Sequence, residues 1–176
     1  MEQLIMRWTN DGTPAETVSL PEDVTLVRFP ELPNALGEWL AIVENGLTGP
    51  CPTEELYRGW MTDKPHYTED LCFFLLVSGE PAATFTVIAD PDTKEGYLHM
   101  VGSKPAFRGR GLGTLMNRLS VAELKRLGMQ SAYLDTDDFR IPAIRGYLRA
   151  GFVPEENTPE LHARWEAIRQ VIAEGK

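Results

Sequence analysis

The sequence predicts one domain of mixed α/β class, and three features predict it. Runs of β-branched and aromatic residues alternate with segments whose apolar positions recur every three or four residues. The chain's 176 residues suit one domain and can bury a core without staples. Neither an internal repeat nor a low-complexity linker divides them.

Val24-Thr25-Leu26-Val27-Arg28-Phe29 reads as a first strand, closed by Pro30. Leu36, Trp39, Leu40 and Val43 share a helical face that Asn45-Gly46 ends. After a turn at Gly49-Pro50-Cys51-Pro52, Thr53 with Glu54 and Glu55 behind it marks an N-cap and opens a second helix through Leu56 and Trp60. An antiparallel meander follows: strands at 71–77, 82–88 and 97–101, separated by Ser78-Gly79-Glu80 and Asp90-Pro91-Asp92. The pattern then changes to strand, glycine-rich loop, helix. Leu112, Leu115, Met116, Leu119 and Ala122 make one stripe, stopped by Gly128. Residues 131–134 read as a strand, and Ile141, Ile144 and Leu148 as a short helix ended by Gly151. Thr158-Pro159-Glu160 opens a last helix at 158–173 with Leu161, Trp165, Ile168 and Ile172 on one face. That stripe reads as core or as a subunit interface, which leaves a homodimer open.

Composition excludes several classes. The net charge of −9 argues against general nucleic-acid binding. No apolar run reaches the roughly 18 residues of a membrane span. The first residues lack a basic region followed by an apolar stretch, so no secretory leader is expected, and two cysteines do not make a disulfide framework. A reduced cytoplasmic protein is the expectation. Charge is unevenly spread: residues 1–103 hold 5 basic against 17 acidic side chains, and residues 104–150 hold 9 against 4. One basic block in an acidic chain suggests an anionic ligand on that block.

The block contains Lys104-Pro105-Ala106-Phe107-Arg108-Gly109-Arg110-Gly111-Leu112-Gly113-Thr114, between a strand and an amphipathic helix. Glycines let consecutive N–H groups face one concavity, and the helix N-terminus adds unsatisfied donors, so a phosphate fits here. Arg108 and Arg110 add positive charge. The dinucleotide pattern fails because its third glycine position falls on Thr114, and no Lys-Ser/Thr pair completes a P-loop.

Arg108-x-x-Gly111-x-Gly113, preceded by a strand and Pro105, resembles the acyl-CoA signature of the GNAT superfamily, the GCN5-related N-acetyltransferases. Ala143-Ile144-Arg145-Gly146-Tyr147-Leu148-Arg149-Ala150-Gly151-Phe152 is similar to that family's closing segment, in the right order and at about the right spacing. The resemblance implies a mixed sheet splayed at its centre to admit the cofactor and flanked by helices. Within a single domain spanning 1–176, the core is then 24–152, residues 1–23 are an N-terminal extension and 158–173 an extra C-terminal helix.

The resemblance also implies roles. Val101, Gly102 and Ser103 would bind the pantetheine arm and the acyl carbonyl through their backbone. Backbone N–H groups of Gly109, Arg110, Gly111, Leu112, Gly113 and Thr114 would hold the pyrophosphate, beside Arg108. Tyr147 would be the general acid, because a phenol stays protonated at neutral pH and can give its proton to a departing thiolate. Arg140 stands where relatives often carry a cofactor-contacting Asn, and is expected to meet a phosphate or a neighbouring Asp.

The general base stays open among Asp135, His99, Asp137, Glu95 and a water. No His/Cys/Asp group has metal-ligand spacing, so no metal is expected. A route through a thiolate of Cys51 or Cys72 is a minor alternative. The expected activity is transfer of acetyl from acetyl-CoA to a primary amine, on a small molecule or a peptide, by direct attack in a ternary complex. The competing class is a non-catalytic module that binds acyl-CoA and senses it.

Overall fold

A computed structural model describes residues 2–175. Its centre is a seven-stranded sheet in the order β2-β3-β4-β5-β6-β1-β7. The strands are β1 (Leu4–Thr9), β2 (Val24–Arg28), β3 (Cys72–Val77), β4 (Glu80–Ala89), β5 (Glu95–Ser103), β6 (Ser131–Thr136) and β7 (Val153–Pro154). The helices are α1 (Ala35–Val43), α2 (Glu54–Tyr57, continued by a π-turn at Arg58–Thr62), α3 (Leu112–Arg126), α4 (Ile141–Arg149) and α5 (Pro159–Ala173). Every strand pairing is antiparallel except β5 with β6.

The sheet separates two helical layers. Residues of β1 and β6 pointing one way, such as Met6, Trp8 and Leu134, pack with Leu124, Ile144, Trp165 and Ile168 of α3, α4 and α5. Phe74 and Met100 point the other way, against Trp39, Ile42 and Met61. The helix ends behave as their residues dictate. Gly128, at φ +72°, closes α3 with Met129 N–H on the Leu124 carbonyl and its own N–H on Lys125. Gly151, at φ +93°, closes α4 the same way with Phe152 on Tyr147 and itself on Leu148. Thr158 caps α5 by accepting from Leu161 N–H at 3.2 Å.

The sequence reading needs one boundary changed. Residues 1–23, read as an extension, include β1, an inner strand paired antiparallel with both β6 and β7. Its Leu4-Ile5-Met6-Arg7-Trp8-Thr9 run alternates buried and outward positions, the period of a strand with one buried face. The second helix also differs: after one α-turn it widens into a π-turn that carries Trp60.

Two features of β5 open the sheet. Its parallel pairing with β6 covers only Glu95↔Ser131, Gly96↔Ala132 and Tyr97↔Tyr133, although both strands run on. Beyond Tyr97 they part. On the other edge the register with β4 slips, with Thr86 opposite His99 but Thr84 opposite Gly102. Met100, at φ +52°, lies in this bulge. The extra residue reverses the alternation. Gly96 faces α3, where an added Cβ would lie 2.2 Å from Leu124, whereas Gly102, six residues on, faces Leu47 of the α1–α2 loop.

Candidate active site

Two pockets meet in the gap between β5 and β6. The first, a cleft of about 740 Å³, runs along Val101, Gly102 and Ser103 to the glycine loop and the start of α3. The second, about 320 Å³, lies among Trp60, Tyr97, His99, Asp135 and Tyr147. Leu47, Val101, Arg140, Ala143 and Tyr147 line both, and so form the passage between them.

The cleft suits a phosphate-bearing ligand. Gly109 and Gly111 both sit at φ +78°, a conformation that side chains resist, and they curl the loop around the helix start. No side chain caps α3, whose first N–H groups therefore keep free donors, and fifteen residues of helix dipole stand behind them. Gly113 has ordinary helical φ, and a Cβ there would meet nothing within 4 Å. Its lack of a side chain keeps the mouth of the cradle clear at a cost in helix propensity of about 1 kcal/mol. Arg108, Arg140 and Arg149 line the same cleft.

Arg110 departs from expectation. Its guanidinium donates to Asp23 at 2.6 Å, half exposed and outside the cleft lining, so its side chain is not part of the cradle. Arg108 donates instead to the Asn45 carbonyl at 2.7 Å and ties the cradle to the α1–α2 loop. Arg140 meets the neighbouring Asp, its Nε donating to Asp137 at 2.7 Å, while lining both pockets. β6 ends at Thr136, so strand alternation does not extend to Asp137.

Tyr147 belongs to the α4 layer, packed edge-on against Phe152, yet it reaches the passage because the sheet is open there. Burial pushes its hydroxyl pKa up to about 12, so the phenol holds its proton at neutral pH. Asp135 comes from the opposite layer. Both its carboxylate oxygens accept from the Tyr97 hydroxyl, at 3.1 and 2.9 Å. Tyr97 stacks on Tyr133 at a centroid distance of 4.6 Å, and its ring lies 4.7 Å from that of His99, tilted by 32°.

His99 faces the same pocket, but its chemistry is constrained. Its Nε2 lies 3.0 Å from the Trp60 carbonyl, an acceptor, so Nε2 carries the proton. Burial lowers the ring's pKa to about 4 and keeps it neutral. Glu95 ion-pairs with Arg7 at 3.0 Å and does not line the pocket of Asp135 and Tyr147. Neither cysteine lines either pocket, and burial raises the Cys72 thiol to about 11.

Nothing local in the sequence marks Met100 or Leu47 as part of a site. A methionine in a strand carries no mark of a bulge, and a leucine after Asn45-Gly46 reads as an ordinary loop residue. Only the aromatic Trp60 at the end of an amphipathic segment carried a signal, and that signal also fits a core residue.

The open parallel seam, the glycine loop at the start of α3 and the buried Tyr147 between two pockets all lie in one stretch of the chain. Residues 38–152 match the acetyltransferase (GNAT) family, and the chain belongs to it. A mycothiol acetyltransferase of Streptomyces scabiei is 30% identical over 154 residues, covering 85% of this chain and 49% of that protein. This chain spans half or less of the length of the curated relatives it matches. A GCN5-related N-acetyltransferase from Sphaerobacter thermophilus superposes with a TM-score of 0.67 at 24% identity, covering 87% of this chain and 48% of that one. The NatC complex bound to Gag peptide and CoA contains a chain with a TM-score of 0.63 at 15% identity, covering 76% of this chain and 87% of that one. These two likenesses concern the fold. No helix among the described residues is long and apolar enough to cross a membrane.

Proposed function

We propose that this chain transfers an acetyl group from acetyl-CoA to a primary amine by direct attack. The observation that carries this reading is the meeting of the two pockets at Tyr147, a proton donor between a phosphate cradle and a carboxylate. Bound acetyl-CoA supplies a thioester carbonyl that a neutral amine attacks. The N–H groups of residues 109–114 hold the pyrophosphate, with Arg108 beside them. Met100 and Val101 have no register partner on β4, and a backbone N–H there faces the developing oxyanion. Tyr147 gives its phenolic proton to the leaving sulfur. The Asp135 carboxylate takes the proton from the amine, and His99, neutral and donating to Trp60, holds the π-turn that walls the pocket. Direct transfer agrees with a raised thiol pKa at Cys72 and with Cys51 lying outside both pockets. The two free cysteines suit a reduced, cytoplasmic setting.

Thermal shift with acetyl-CoA, CoA, ATP and NAD tests the donor. A ligand at 100 times its Kd adds about 2.7 kcal/mol. Stabilisation by the CoA pair alone, abolished by Gly111→Glu, is expected, followed by acetyl-dependent release of free thiol when amines are screened. Absence of any CoA shift in the folded wild type overturns the proposal. Binding of CoA with Tyr147→Phe indistinguishable from wild type in every amine assay favours the non-catalytic sensor.

A further inference from the structure

Leu47 occupies an unusual position for a loop residue. The loop 44–53 returns from α1 to α2 and is pinned at its start, where Leu47 and Thr48 N–H both donate to the Val43 carbonyl at 3.0 Å. Arg108 fastens the same loop from the cradle side through the Asn45 carbonyl. So held, Leu47 presses on β5 where β5 has no side chain. A Cβ on Gly102 would lie 2.6 Å from Leu47 Cδ1 and 3.2 Å from Cγ. Gly102, whose φ is ordinary, leaves to Leu47 the space that a Cβ would otherwise share with it.

Leu47 is also one of the residues shared by the two pockets, and it packs with the Trp39 and Phe74 cluster, whereas Ala143 and Tyr147 of α4 pack with the Trp165 cluster. A donor lying in the cleft presents its reacting carbon at this passage, because the acceptor reaches it from the other pocket. Whatever extends beyond that carbon must share the passage with the isobutyl group of Leu47.

We infer that Leu47 sets the acyl-chain length of the donor, admitting acetyl and excluding chains longer by two or more carbons. This rests on the proposed use of acyl-CoA and adds the residue that selects among acyl-CoAs. Protein interiors do not yield by a methylene without cost, so each added carbon must displace a wall atom. Replacing Leu47 by Ala removes three carbons from the wall, more than butyryl adds over acetyl. Each methylene that then finds apolar contact strengthens binding by about fourfold.

The test is isothermal titration of CoA, acetyl-CoA, propionyl-CoA and butyryl-CoA into the wild type, Leu47→Ala and Leu47→Phe. Each affinity is normalised to that of CoA for the same protein. The wild type is expected to bind butyryl-CoA at least tenfold more weakly than acetyl-CoA. Leu47→Ala is expected to bring that ratio to one or invert it. Leu47→Phe is expected to weaken acetyl-CoA against CoA, so the inference stays testable if one variant does not fold. An unchanged butyryl-to-acetyl ratio in Leu47→Ala, with CoA bound by both proteins, overturns the role of Leu47 alone. Failure of wild type to bind CoA at all overturns the donor reading and this inference with it.

Discussion

The Tyr97 hydroxyl donates to both carboxylate oxygens of Asp135 across the parallel seam, 2.9 Å from one and 3.1 Å from the other. The bond orients Asp135 at the point where β5 and β6 begin to part, facing the pocket that also holds Tyr147. With Asp135 as base, Asp135→Asn lowers kcat by about a hundredfold or more, the range for removing a positioned base. Tyr97→Phe keeps the ring but removes one hydrogen bond, and costs about tenfold. Steady-state kinetics with any accepted amine checks the order. A larger loss in Tyr97→Phe than in Asp135→Asn contradicts the assignment.

Tyr147 is held neutral by burial, so replacing it by Phe removes a proton and little volume. We expect kcat to fall by about a hundredfold or more while the Kd for CoA stays within about twofold. Measured together by stopped assay and calorimetry, a parallel loss of binding and turnover would instead mark Tyr147 as a packing residue.

Gly113 offers a trade between stability and binding. Gly113→Ala improves helix propensity by up to about 1 kcal/mol at an exposed position. Gly113 lines the cleft, so with a phosphate on the neighbouring N–H groups the added methyl is expected to disturb charge-assisted bonds and weaken CoA by about tenfold or more. Chemical denaturation and calorimetry on the one variant read both effects. A variant that is more stable and binds CoA unchanged argues against a phosphate on these N–H groups.

His99 gives stability a pH dependence of known sign. In the folded chain its pKa is depressed by burial to about 4, against an ordinary 6.5. Between those values the unfolded chain holds more protons, so stability is full above pH 6.5 and falls as pH drops toward 4. The loss amounts to at most about 3 kcal/mol. Urea midpoints of wild type and His99→Gln, compared at about pH 7 and about pH 4.5, isolate this group from the carboxylates, which they share. The variant's slope is expected to be shallower. Equal slopes would show that His99 is not buried neutral in solution.

Much of this protein follows from local rules acting on its sequence. The apolar stripes of α3 and α5, the stops at Gly128 and Gly151 and the Thr158 cap each depend on a few neighbouring residues, and propensity and capping act over that distance. The glycine-rich loop is equally local, because only glycine adopts φ +78° at 109 and 111 without steric cost. The site required the tertiary structure. β1 enters the sheet by pairing with strands more than a hundred residues away, so its partners leave no trace in its own alternation. The bulge at Met100 reverses which way β5 faces, and the short parallel pairing of β5 with β6 opens the sheet. That opening brings Tyr147, from one helical layer, to a pocket it shares with Asp135 and His99, which face the other layer. Leu47 reaches the passage for the same reason, across a β5 glycine that is close in space and far in sequence. Sequence by itself determined most of the elements, though not β1, and the glycine-rich loop at the start of α3. Tertiary packing decided which side chains meet, because meeting depends on strand register and sheet curvature, which no local pattern carries.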